Sequence, residues 1–377
     1  MFRKLCCLVA VALLAGLLAN AQQYYLFVGS YNRDKEKDGV YLYRFNDHTG
    51  ALQPVYALKG ILNPSFLAIS PNGKYIYACS EAQTPNIGGV SSLAFDSTNE
   101  TLTLLSRQHS GGDNPAYVGV DKAGKWLLCA NYTGGSLSIF QLLENGHIAP
   151  ASQTITFRDS SILPRQTSSH VHAAIFAPDN HYAFFPDLGA DKIRAYELFA
   201  DQPVPLQPAT PPYTTTAPGS GPRHLTFHPA LPYAYCINEI SGMVTAYRYH
   251  SGRLDSIQGI SAHLPSLASD YNSADIHISP DGKFLYASTR EDANMTFIYA
   301  IHPQKGTLTK VGQEPTRGVH PRNFVIDPTG KFLLVANQRS GNIVVFKRHP
   351  KTGLLTATGV DVKVLNPSSL QLRAYNR

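Results

Sequence analysis

Three features of the sequence predict an all-β chain folded as a seven-bladed β-propeller. The first is a repeated unit: Pro-x, an alternating strand, a Pro-x-Gly-Lys turn, a second apolar strand and a closing polar pair. It aligns without gaps over residues 64–81, 115–132, 171–188, 222–239, 273–290 and 321–338. The second is a seventh copy present in halves, residues 367–372 supplying its first strand and residues 25–31 its second. The last blade is therefore closed by the N- and C-terminal strands. The third is the period: residues 22–377 divide into about 51 per blade, enough for four short strands and their loops. A ring needs no capping repeat and leaves only short edges, which favours a propeller over a solenoid.

In chain order, residues 1–21 read as a secretory signal. Arg3 and Lys4 precede an apolar run from Leu5 to Leu18, and Ala19-Asn20-Ala21 is a small-x-small cleavage site. The run is shorter than the ~20 apolar residues of a membrane helix. The mature chain, residues 22–377, is expected to be one domain, periplasmic or secreted, with no hold on a membrane after signal removal. Cys6 and Cys7 open the apolar run rather than follow a cleavage site, which argues against a lipid anchor. Cys79, Cys129 and Cys236 lie in apolar second strands without metal-binding spacing, and read as core.

The turns Pro71-Asn-Gly-Lys74, Pro280-Asp-Gly-Lys283 and Pro328-Thr-Gly-Lys331 are hairpin reversals with glycine where positive φ is needed. Third and fourth strands follow, as in Gly39–Phe45 with Gly50–Leu52, Ser136–Phe140 with Gly146–Ile148, and Asn342–Phe346 with Gly353–Leu355. Two stretches break the rhythm: residues 203–222, with seven prolines, and residues 266–273. Both are expected as long loops ahead of copies four and five. With 43% hydrophobic residues, 29 glycines, 26 prolines and 21 tyrosines, the composition suits a turn-rich β domain. Formal charge is +6, falling to +4 when Arg3 and Lys4 leave, and basic residues form no run, so no nucleic-acid partner is implied.

The first strand of each propeller blade lines the central channel, so equivalent positions form rings. The position after the opening residue of each unit reads Ser65, Ala116, His172, Arg223, Ala274, Arg322 and Ser368. The polar pair ending the second strand lies beside it and contributes Asn131, Asp187, Asn238, Glu239 and Arg290. Three arginines, a glutamate and a histidine on one mouth predict a site for an anion or a partner, since uncompensated like charges are costly unless one of these uses them. His170, two residues from His172, and His277 are placed near the same mouth. His170 and His172 lack a third ligand, so no metal is assigned. Nucleophile-elbow, Walker and dinucleotide motifs are absent from the sequence, which disfavours a serine nucleophile or a cofactor.

The motifs Gly221-Pro-Arg-His224, Tyr233-Ala-Tyr-Cys-Ile-Asn-Glu239, Ala274-Asp-Ile-His-Ile-Ser-Pro-Asp-Gly-Lys283 and Pro321-Arg322 resemble those of the seven-bladed-propeller lactonase family. That family holds the propeller-type bacterial 6-phosphogluconolactonases and is related to the fungal carboxy-muconate lactonizing enzyme. The resemblance covers nearly all of the mature chain. It implies hydrolysis of a sugar lactone to an aldonate without a cofactor, with His172, Arg223, Glu239 and Arg290 as the catalytic set. On this expectation Glu239 or His172 activates water, and Arg223 stabilises the oxyanion. Arg290 and Arg322 hold a carboxylate or phosphate, while Asn131, Asp187 and Asn238 orient hydroxyls. Two rivals use the same charges: a lactonizing cycloisomerase acting on a carboxylated diene, and a non-catalytic secreted propeller that binds a ligand or protein. The signal reading makes its own prediction, that exported protein begins at Gln22. N-terminal sequencing that finds Met1 intact in the exported fraction refutes it.

Overall fold

In a computed structural model of the chain, the residues described are 22–82, 88–264, 266, 271–291 and 293–376. The expected signal, residues 1–21, and part of the expected loop 266–273 lie outside them. The described chain forms seven four-stranded antiparallel sheets. Blades one to six occupy residues 66–109, 115–156, 171–215, 222–261, 273–315 and 321–363, and blade seven joins residues 367–376 to residues 22–58. The closing strand Pro367–Asn376 pairs with Gln22–Ser30 from Gln22 opposite Asn376 to Ser30 opposite Pro367.

The two inner strands of each blade are apolar on both faces because each face packs on a different neighbour. Alternate residues therefore serve alternate clefts. Tyr24, Leu26 and Val28 pack against blade six, whereas Tyr25 and Phe27 pack against blade one. Among the described residues there are seven such apolar clusters, one in each cleft between neighbouring blades. The core of this protein is a ring of wedges rather than one centre. Cys79, Cys129 and Cys236 are buried in it as free thiols. The expected hairpins are present: Gly73, Gly282 and Gly330 have φ of 75°, 70° and 72°, and each amide donates back to Ser70, Ser279 or Asp327.

Two expectations need correction. Residues 203–222 are not one long loop, because Leu206–Thr215 forms the outer strand of blade three. Proline is tolerated there because an edge strand has one row of N–H groups with no ladder to join. Blade three also lacks a full inner strand. Only Ile175–Phe176 pairs regularly, with an isolated bridge from Val171 to Asp187. Pro186 lies opposite the missing stretch, and it accepts from the His172 amide at 2.9 Å but has no N–H to return.

Ring closure carries a prediction. Truncation at Asn366 removes the partner of Gln22–Ser30 and uncovers buried Leu370 contacts with blade six. The melting temperature is expected to fall by about 10 °C or more. A truncated chain melting within about 2 °C of full length excludes this closure.

Candidate active site

The site begins with a backbone irregularity. Pro222 pairs with Asn238 and His224 with Ile237, which leaves Arg223 as an extra residue. The same bulge recurs at Ala116, at Arg322 and at Ser368. A bulge sets two residues against one and re-aims their side chains. Arg223 and the next residue, His224, accordingly meet: Arg223 Nη1 donates to His224 Nε2 at 3.1 Å. Gly221 makes the entry possible. Its φ is 63°, and a Cβ there would come within 2.6 Å of Ile240 Cγ1.

Glu239 is the centre of the charged cluster. Its Oε2 accepts from Arg223 Nε at 2.8 Å and stands 2.9 Å from Arg290 Nη2, and its Oε1 accepts from Arg165 Nη2 at 2.5 Å. Burial pushes the Glu239 carboxyl up, but Arg290, Arg223 and Arg165 together overcome this and hold it well below the usual carboxylate range. Arg290 is further fixed by the carbonyls of Asn272 (2.8 Å) and Ser273 (3.3 Å). Arg223 also donates to the Ala274 carbonyl. Burial, then Arg290, pushes the Arg223 guanidinium down to about 9. His172 is buried beside them, edge-on to Tyr132 and to His224 with ring centroids 5.2 and 5.3 Å away. Burial, with Arg223, His224 and Arg322 nearby, holds its imidazole well below 6.5, so it is neutral at physiological pH. Among the described residues its Nδ1 has no hydrogen-bond partner.

Beneath this layer lies a second ring, one residue further along each unit: Phe66, Tyr117, Ala173, His224, Asp275, Asn323 and Ser369. Phe66 stacks on Tyr117 at 3.9 Å, and both meet the His224 ring edge-on. Phe66 belongs to blade one and His224 to blade four, so this contact spans the channel. Asp275 accepts from His224 Nδ1 (2.7 Å), His277 Nε2 (2.9 Å), Asn323 Nδ2 (2.5 Å) and the Phe324 amide (3.1 Å). Burial pushes the Asp275 carboxyl up, and the two histidines hold it below its ordinary range. His224 Nδ1 thus carries the proton, Nε2 accepts from Arg223, and burial with Arg223 beside it lowers the ring to about 4.

Next to Glu239, a cleft of about 800 Å³ opens on the same face, lined by Tyr31, Arg33, Glu81, Arg290, His320, Arg322 and Arg339 among others. Arg322 lies over the Tyr31 ring at 5.1 Å, and its nearest carboxylate, Glu81, is 3.7 Å away. That distance exceeds a hydrogen bond, so its fork is less committed than those of Arg223 and Arg290. Burial, with Arg290 and Arg322 adjacent, pushes His320 down to about 2. The cleft is a positive one.

The structure therefore brings His172, Arg223, Glu239, Arg290 and Arg322 to one mouth. The expected hydroxyl-orienting residues are different. Asp187 is fully buried; its Oδ2 accepts from Arg194 Nε at 3.0 Å and Nη2 at 2.7 Å, and its Oδ1 accepts from the His170 amide. Asn131 donates to Ser110 O and Ser136 Oγ, and Asn238 to Met243 O and Thr245 Oγ1; both are buried. Asp187 and Asn131 tie a preceding loop to their blades, and Asn238 joins two strands of blade four. His170 stacks on Tyr132 at 4.6 Å with Nδ1 on the Tyr132 carbonyl, and His277 positions Asp275 in the lower layer. Sequence reasoning missed Arg165, His224 and Asp275. Arg165 sits in a loop outside the repeat, where no periodic position marks it. His224 and Asp275 occupy the same position of neighbouring units, a signal that simple strand alternation hides. Among the described residues, no group of three His, Cys, Asp or Glu side chains is placed to hold a metal ion.

Comparison with known proteins gives this geometry a family. The family described as "Lactonase, 7-bladed beta-propeller" matches residues 25–372. A 6-phosphogluconolactonase of Formosa agariphila is 43% identical over 93% of this chain and 100% of its own length. One from Bacillus subtilis is 32% identical over 92% of this chain and 97% of its own. The crystal structure of a putative 6-phosphogluconolactonase from Bacteroides fragilis superposes with a TM-score of 0.88 at 40% identity, covering 94% of this chain and 99% of that one. The periplasmic gluconolactonase of Pseudomonas aeruginosa does so with a TM-score of 0.88 at 33% identity, covering 93% and 99%. A match over almost the whole ring, with the charged mouth included in it, places this chain in the seven-bladed β-propeller lactonase family, as a lactone hydrolase.

Proposed function

We propose that the charged mouth hydrolyses the ester of a sugar lactone, 6-phosphogluconolactone or gluconolactone, in the periplasm or outside the cell. The observation that carries the mechanism is the commitment of Glu239. A carboxylate gripped on both oxygens by three arginines is a poor proton acceptor, so its part is to fix Arg223 and Arg290. The neutral His172 beside it is the group left to take a proton from water. Water attacks the lactone carbonyl, and its proton passes to His172. Arg223, whose Nε and Nη1 are already anchored, turns the rest of its fork to the oxyanion. Collapse breaks the ring C–O bond, and the imidazolium returns the proton to the ring oxygen. Arg322 holds the anionic end of the substrate or product in the adjoining cleft.

The two arginines separate in kinetics. Arg223→Lys is expected to lower kcat about 100-fold or more, because an ammonium cannot reproduce the anchored fork. Arg322→Lys is expected to raise KM with kcat nearly unchanged. Rates must be measured above spontaneous hydrolysis, on both lactones and on a carboxylated muconate. Turnover of the muconate alone, or full kcat in Arg223→Lys, overturns the assignment.

The base and the anchor separate by stability. His172→Ala is expected to reduce kcat by about 100-fold or more without a change in melting temperature. Glu239→Gln is expected to destabilise the fold by ~3–5 kcal/mol, since it strands buried arginines. The sign of the pH dependence follows from the lowered Glu239 value: its stabilisation is present above about 4.5, its ordinary value, and fades as pH falls below that. Urea unfolding at pH 7 and pH 4 checks this. A Glu239→Gln protein as stable as wild type, with kcat abolished, would make Glu239 the base.

A further inference from the structure

Arg165 belongs to no blade. It lies in the 3-10 turn Pro164–Gln166, on the connection from blade two to blade three. That connection is pinned elsewhere along its length. Asp159 meets Lys192 at 3.1 Å and Arg194 at 2.5 Å, Ser161 Oγ donates to Asp191 Oδ2 at 2.6 Å, and buried Gln166 donates to the Leu188 carbonyl at 2.8 Å. Its return leg lies so close to Gly189 that a Cβ there would stand 1.8 Å from Ser168 O. From this support Arg165 reaches across the mouth to Glu239 of blade four at 2.5 Å, to Asn272 at 3.3 Å ahead of blade five, and to the Tyr132 hydroxyl of blade two. Its side chain is 44% exposed, against 1% for Arg223 and 7% for Arg290.

Arg223 and Arg290 both stand on Glu239 Oε2, whereas Arg165 meets Oε1 from the open side of the mouth. Arg165 makes the mouth more positive: four guanidiniums, Arg165, Arg223, Arg290 and Arg322, surround two carboxylates, Glu239 and Glu81. Such an excess costs stability in the empty protein and is relieved when an anion enters. The loop is anchored without Arg165, so the fold does not depend on its contact with Glu239.

We propose that Arg165 is a substrate-contacting residue that selects lactones bearing an anionic group, its half-exposed guanidinium shared between Glu239 Oε1 and the incoming anion. The inference rests on the lactonase reading and adds the charge of the substrate to it. Bidentate recognition by arginine suits a phosphate or carboxylate, and an uncharged sugar lactone offers no such partner.

The test compares wild type, Arg165→Ala and Arg165→Lys on 6-phosphogluconolactone and on gluconolactone. Arg165→Ala is expected to raise KM for the phosphorylated lactone about tenfold or more, and to raise it by a clearly larger factor than the KM for gluconolactone. Arg165→Lys should recover part of the loss, since it restores charge without the fork. The melting temperature should stay within about 2 °C. Equal losses on both lactones, or no loss on the phosphorylated one, overturn the proposal. Calorimetric titration with 6-phosphogluconate keeps the two readings apart. A wild-type protein that turns over neither lactone sinks the lactonase reading. Binding of 6-phosphogluconate that Arg165→Ala weakens about tenfold still supports the selection of an anion, and binding that it leaves intact refutes it.

Discussion

The site depends on one extra residue at the head of the inner strands of blades two, four, five, six and seven. In a regular strand, Arg223 and His224 would point to opposite faces, and one of them would enter an apolar cleft between blades. A charge or an imidazole there, without partners, costs several kcal/mol. The bulge between Pro222 and His224 avoids this by placing both against the channel, where Glu239 and Asp275 receive them. Repeated around the ring, the same device yields two stacked layers of inward side chains instead of one. The upper layer is charged and faces the mouth; the lower one is aromatic and hydrogen-bonded, with Phe66 and His224 in contact across the axis. The hydrogen-bonded part of the lower layer holds the upper one still.

That support runs through Asp275. Its carboxylate joins blades four, five and six by accepting from His224, His277, Asn323 and the Phe324 amide. His224 then presents a lone pair to Arg223, so the Arg223 fork is braced from below by a neutral imidazole and from the side by Glu239. On the proposed mechanism, a guanidinium fixed at two edges before substrate arrives has little reorganisation left to do when charge develops on the carbonyl oxygen. The cost is electrostatic crowding, visible in an Arg223 held down to about 9 by burial and by Arg290. Active sites are where such costs are tolerated, because the ligand repays them.

The sequence by itself determined the repeat, the closure of the ring by its two ends and the positions that converge on one mouth. These follow from local rules: alternation, turn glycines and the equivalence of aligned positions in a closed ring. His172, Arg223, Glu239, Arg290 and Arg322 were legible for that reason, as charged exceptions at otherwise neutral repeat positions. Only the tertiary structure decided what lies between the units and how the exceptions pair. Asp187 is occupied by Arg194 and by the His170 amide rather than open to a ligand, which depends on side-chain placement that no spacing encodes. Residues 206–215 are a strand because an edge accepts proline, a fact of position in the sheet rather than of composition. Arg165 reaches Glu239 across 74 residues only because its loop is folded over the mouth and pinned there. His224 and Asp275 escape a reading by alternation because the bulge reverses the side on which a residue falls, and a bulge is a relation between two strands that no single strand carries.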